Sequence, residues 1–142
     1  MGYLRLSVLG IFALCLVSGA AQAETKIFKA TLSGATEVPP NASAGVGAAT
    51  ATLDTATGKL VWDVTYSGLT GRAMAAHIHG PADAGQNAGV VVPLKVTPSP
   101  IKGSKILTAA QMADLEAGKY YVNIHTAANK GGEIRGQLQP SP

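Results

Sequence analysis

From about residue 26 onward, apolar side chains recur mostly at every second position, in short runs rich in Val, Ile, Thr, Tyr and Trp. An extended chain points successive side chains to opposite faces, so each run reads as a strand with one buried face. Gly, Pro, Asn and Asp break the runs about every ten residues. The pattern predicts strands at 26–32, 45–53, 59–66, 72–79, 89–96, 119–126 and 132–139. Leu60, Trp62, Val64 and Tyr66 fall on one face of the third run and form its core side. The turn-prone segment 54–58, ending in Gly58, joins the second and third runs as a hairpin. Pro39 and Pro40 remove backbone donors and make 37–41 a loop. Pro93 demotes its strand to an edge or a bulge. One helix is predicted, with Thr108 and Gln111 three residues apart as a capping box and Gly118 at its end. Strands without regular helical alternation favour an all-β antiparallel sandwich or barrel over a parallel α/β sheet.

The first 23 residues break this rhythm. Arg5 precedes an unbroken apolar run, 6–17, and Ala21-Gln22-Ala23 places small residues at the positions a signal peptidase reads. The run is about 12 residues long, and a bilayer-spanning helix needs about 20. We therefore read 1–23 as a secretory signal peptide, 24–142 as one domain, and the location as periplasmic or secreted. Leu14 stands before Cys15, where a lipoprotein signal carries a small residue. Cleavage after Ala23 would remove Cys15, the chain's one cysteine, so neither a disulfide nor a thiolate metal site is expected. It would also remove Arg5, lowering the formal charge from +3 to +2. That charge is too small and scattered for nucleic acid or an acidic membrane, and no membrane insertion is expected after cleavage.

Candidate chemistry lies with the three histidines, all in predicted strands. His77 and His79 are two residues apart and share a face, with Met74, Ala76 and Ile78 on the opposite, core side. In 119–126, Tyr120, Val122 and Ile124 oppose Tyr121, Asn123 and His125; in 132–139, Ile134 and Leu138 oppose Glu133, Arg135 and Gln137. If the strands are neighbours, these polar residues form one patch on an outer sheet face. Three imidazoles there suit copper, or less well zinc, with a position left for water; Ca²⁺ and Mg²⁺ would want carboxylates. Asn123, Glu133 and Arg135 are candidates for orienting the imidazoles through their free N–H groups. The competing reading is an ordinary polar face with solvated histidines. Neither a Gly-x-Ser-x-Gly elbow nor a phosphate-binding loop opening a helix is present, so a catalytic serine and nucleotide binding lack support. No catalytic residue is assigned. Asn41-Ala42-Ser43 matches the glycosylation triplet.

Four stretches carry a family resemblance. These are 28–34 with Glu37-Val38-Pro39-Pro40, Ala76-His77-Ile78-His79-Gly80-Pro81-Ala82, Tyr120-Tyr121-Val122-Asn123-Ile124-His125-Thr126, and Gly131-Gly132-Glu133-Ile134-Arg135-Gly136-Gln137-Leu138. In this order the chain resembles the CHRD (chordin-type) domain over about 26–139. The resemblance implies a Greek-key, immunoglobulin-like β-sandwich and no settled activity. The His-x-His strand followed late by a single histidine is also similar to the copper-ligand order of copper–zinc superoxide dismutase, but no fourth histidine is available to bridge to zinc.

Three functions compete on these grounds. The first is copper binding through His77, His79 and His125. The second is a metal-free interaction module that meets an unidentified envelope or extracellular protein through loops 37–41 and 81–88. The third is a dismutase-like copper enzyme. A shared metal with bonds of about 2 Å requires the three imidazole nitrogens to approach within about 4 Å of one another.

Overall fold

The computed structural model describes residues 23–142; apart from Ala23, the expected signal segment lies outside the described residues. Among the described residues, nine strands, one α-helix and a 3-10 turn (Gly34–Thr36, after β1) follow in order: β1 (Thr25–Ser33), β2 (Val46–Asp54), β3 (Lys59–Ser67), β4 (Ala73–His79), β5 (Val90–Leu94), β6 (Ile101–Ile106), α1 (Ala109–Glu116), β7 (Tyr121–Thr126), β8 (Ile134–Gln137) and β9 (Gln139–Ser141). All pairings are antiparallel, in the order β5-β4-β7-β8-β1-β2-β3-β6, with β9 added to β1.

The ladder is nearly closed and barrel-like. It thins between β8 and β1 to a single pair, Ser33 with Arg135. At the open seam the Lys105 ammonium donates to the Val91 carbonyl at 2.9 Å, tying the β6 side to β5. The antiparallel all-β class and the one α-helix among the described residues follow the sequence pattern, and the strands form one sheet around a shared core. That core includes Phe28, Leu32, Leu53, Leu60, Trp62, Val64, Ile78, Ile101, Val122, Ile124, Ile134 and Leu138, all buried.

Local signals explain most elements. Thr108 caps α1 by accepting from the Gln111 N–H, and the Gln111 side chain accepts from the Thr108 N–H. Asp54 Oδ1 accepts from the N–H groups of Ala56 and Thr57, and Gly58 takes the left-handed conformation that closes the hairpin (φ 70°). Pro93 lies in β5, the outermost strand on its side of the order.

Three places depart from the pattern. The strand β6 has no obvious apolar alternation, because Gly103 occupies a core-side position. A Cβ there would strike the Trp62 indole, so the tryptophan fills the space that a β6 side chain would take. The predicted strand 132–139 is divided between β8 and β9. In β4 the register shifts between Ala73 and Ala75, and Met74 swings out to 63% exposure instead of joining the core. Downstream of that bulge the alternation is as expected, with Ala76 and Ile78 inward and the histidines outward.

Candidate metal centre

The strands β4, β7 and β8 are consecutive in the sheet, so the polar residues on their outer faces line up in rows. His79 pairs with Tyr121 and Tyr121 with Gln137; His77 pairs with Asn123 and Asn123 with Arg135; Ala75 pairs with His125. The small Ala75 opposite His125 leaves that ring room to lean toward His77. The ring centroids lie 4.9 Å apart for His77–His125, 5.3 Å for His77–His79 and 6.3 Å for His79–His125. One ligand nitrogen from each ring lies within 4.8 Å of the others. Tetrahedral bonds of about 2 Å place nitrogens about 3.3 Å apart, so the widest gap must contract by about 1.5 Å, shared among three rings.

This face is not an open sheet surface. Loop 80–89 folds over it, and loop 34–41 packs beside that loop through a 3.0 Å bond from Asn87 Nδ2 to the Val38 carbonyl. The turn into the first loop is set by Gly80, where any Cβ would collide with the Tyr120 ring. Loop 80–89 brings Ala88 to the histidines: its carbonyl lies 2.9 Å from His79 Nδ1 and its N–H donates to the Tyr121 hydroxyl at 3.1 Å.

The hydrogen bonds define the tautomers. A carbonyl can only accept, so a neutral His79 carries its proton on Nδ1 and its lone pair on Nε2. That Nε2 is buried, with only the Asn123 side chain in reach. His125 is held in the same way, with Nδ1 2.9 Å from the Lys130 carbonyl and Nε2 left as an acceptor. It receives a 3.0 Å hydrogen bond from His77 Nδ1. Burial, with His125 and His79 adding to it, lowers the His77 pKa below the ordinary histidine value. Burial also lowers His79, against the raising pull of the Ala88 carbonyl. His77 and His79 are thereby biased toward the neutral form that binds metals.

Aromatic packing holds His79 as well. Tyr121 stacks on it in parallel, with centroids 5.0 Å apart and 3° between planes. The Arg135 guanidinium lies 3.5 Å from the centre of the same tyrosine ring. Strand order puts His79 on one side of Tyr121 and Arg135 on the other.

The polar residues expected to orient the imidazoles divide sharply. Asn123 is buried and pairs with His77 across the strands, and its side chain comes within hydrogen-bonding reach of His79, where it opposes the lowering of that ring's pKa by burial. Arg135, only 2% exposed, hydrogen-bonds no histidine and instead donates to the Gln86 carbonyl at 2.6 Å and to Asn87 Oδ1 at 3.0 Å. Glu133 is wholly buried and directed elsewhere. Its carboxylate accepts from Ser43 Oγ (2.6 Å), Thr70 N (2.7 Å), Thr70 Oγ1 (2.7 Å) and Thr126 Oγ1 (2.5 Å). Burial would raise its pKa, but the bonds from Ser43, Thr126 and Thr70 overcome this and hold it at about 2. Asn41 serves the same junction: its Nδ2 donates to the carbonyls of Gly132 and Glu133, and its Oδ1 accepts from the Ser43 N–H.

Orientation of the rings therefore falls to the carbonyls of Ala88 and Lys130, to Tyr121 and to the Asn123 side chain beside His79. Main-chain carbonyls carry no side-chain signature in a sequence. Tyr121 did have one, its place on the histidine side of β7.

The CHRD domain family model matches residues 28–138. That span holds all three histidines, both covering loops and the Glu133 junction. No curated protein and no solved structure matches the chain. With the matched span covering most of its length, this chain belongs to the CHRD domain family.

Proposed function

We propose that this CHRD-domain protein is exported to the periplasm or beyond and there binds a copper ion through His77, His79 and His125. The observation that carries the reading is the convergence of three imidazoles on one face, with one ligand nitrogen from each within 4.8 Å of the others. An all-nitrogen donor set with no carboxylate disfavours Ca²⁺ and Mg²⁺. Cu²⁺ binds such donors more tightly than the other divalent first-row ions, Zn²⁺ included. The Ala88 and Lys130 carbonyls support binding by fixing two of the rings before the metal arrives. The role we infer is copper handling or storage.

The test is titration of the purified protein and its His125→Ala variant with Cu²⁺ and, in competition, Zn²⁺. We expect tight one-to-one copper binding by the wild type, preference over zinc, and a loss of at least about tenfold in the variant. Equal, weak binding by both proteins would overturn the proposal. Dismutation by the copper-loaded protein no faster than by free copper would exclude the redox-enzyme variant of this reading.

A further inference from the structure

The loop that folds over the histidine face has little of its own to hold it there. Residues 82–88 are all small or polar, and 83–87 are exposed. Without a buried apolar anchor, the place of this segment depends on its polar contacts. The base and first half are pinned by three bonds. The Gly80 N–H donates to the Gly89 carbonyl (3.2 Å), the Ala82 N–H to the Lys119 carbonyl (2.8 Å), and Gln137 Nε2 to the Ala82 carbonyl (2.9 Å). The second half carries Ala88, and there Arg135 supplies two contacts, to the Gln86 carbonyl (2.6 Å) and to Asn87 Oδ1 (3.0 Å). Both come from a charged donor, the stronger kind of hydrogen bond.

Arg135 reaches His79 along two routes. One runs through Gln86 and Asn87 to the next residue, Ala88, whose carbonyl lies 2.9 Å from His79 Nδ1. The other runs through Tyr121. The guanidinium carbon lies 3.5 Å from the centre of that ring, the ring stacks on His79 in parallel, and its hydroxyl accepts from the Ala88 N–H. The contacts thus close a circuit from Arg135, 2% exposed, to His79 and back. Arginine suits this place because its flat cation can lie on a ring while in-plane N–H groups bond elsewhere, which the point charge of lysine cannot do. The charge alone acts against the site. It disfavours a proton on His79, and it disfavours a metal cation there for the same reason. What Arg135 contributes to the centre is therefore geometry.

We propose that Arg135 is a positioning residue for the metal centre: by clamping 86–88 and bracing Tyr121 it fixes the His79 ring and sets how long a bound copper ion stays. The retention of the ion rests on the copper reading, whereas the fixing of the ring is a property of the metal-free protein. Loosening a group that orients a ligand weakens metal binding, and such losses fall mostly on the dissociation rate.

Two measurements test this. NMR of the metal-free protein reads the exchange of the His79 Nδ1 proton with water, and competition with a chelator reads copper release from the loaded protein. Arg135→Lys keeps the charge and removes the fork and the flat face. Asn87→Ala removes one of the two loop bonds at an exposed position that does not endanger the fold. Glu133→Gln is the control, since it weakens the fold outside this circuit. Proton exchange and copper release should each be at least about tenfold faster in Arg135→Lys and about threefold faster in Asn87→Ala, with wild-type rates in Glu133→Gln. Wild-type proton exchange in Arg135→Lys and Asn87→Ala would overturn the proposal, and if Arg135→Lys does not fold, that result in Asn87→Ala alone does so. Wild-type copper release in Arg135→Lys, or equal acceleration in Glu133→Gln, would overturn it too. A wild-type protein that takes up no copper, with faster proton exchange in Arg135→Lys, would overturn the copper reading instead and leave the positioning of His79 standing.

Discussion

Replacing Glu133 by Gln would convert a carboxylate that accepts four hydrogen bonds into an amide that can accept at only one of its two terminal atoms. The donors come from the segment before β2 (Ser43), the β3–β4 connection (Thr70) and the end of β7 (Thr126), so one side chain joins three pieces of chain. The native carboxyl is held at about 2, below its ordinary 4.5, by those bonds against the opposing effect of burial. Linkage sets an upper bound of about 3 kcal/mol on what ionisation contributes, and screening by nearby water reduces it to about 2 kcal/mol. Because the folded-state pKa is depressed, this contribution is present above pH 4.5 and is lost as pH falls toward 2. Urea unfolding of wild type and variant at a series of pH values reads the difference. At pH 7 Glu133→Gln should be less stable by about 2 kcal/mol, with the gap narrowing below pH 4.5. Copper affinity of the folded variant should stay near the wild-type value, since no imidazole bonds to Glu133. A difference under about 0.5 kcal/mol at pH 7, or a gap constant across the acid range, would refute the reasoning.

Glu37 gives the opposite sign. Burial pushes its carboxyl up to about 7, with Arg135 pulling it back, so ionisation weakens the fold as pH rises through that value. Glu37→Gln should therefore stabilise the domain by about 1–2 kcal/mol at pH 8, after allowance for screening, and have little effect at pH 4, as measured by urea unfolding. With the pKa values of His77 and His79 lowered chiefly by burial, protons compete less with a metal at these two rings, so copper affinity should fall less steeply with decreasing pH than that of a free-imidazole complex. Titration at stepped pH checks this, and an equal or steeper decline would contradict it. Tyr121→Phe removes the hydroxyl that accepts from the Ala88 N–H but keeps the ring stacked on His79. It should cost about 1 kcal/mol in unfolding free energy and a few-fold in copper affinity.

The sequence alone determined the strand class, most strand positions, the capped helix and the polar faces carrying His77, His79 and His125. These are local properties: period-two alternation, turn residues and a capping box act over a few neighbours and need no knowledge of the rest of the chain. It missed β6 because the apolar group at that position belongs to Trp62, opposite it on the neighbouring strand β3, and Gly103 is small to admit it. It put Met74 in the core because a bulge shifts the alternation without changing composition. The tertiary structure decided that β4 lies beside β7, which brings the third histidine to the other two. It also turned Glu133 away from them toward Ser43, Thr70 and Thr126, a choice that depends on donors 7 to 90 residues distant. The orienting groups of the centre, the carbonyls of Ala88 and Lys130, belong to backbone that every residue has. Only the folding of loop 80–89 over the sheet and of the β7–β8 turn beside it places those carbonyls against imidazoles.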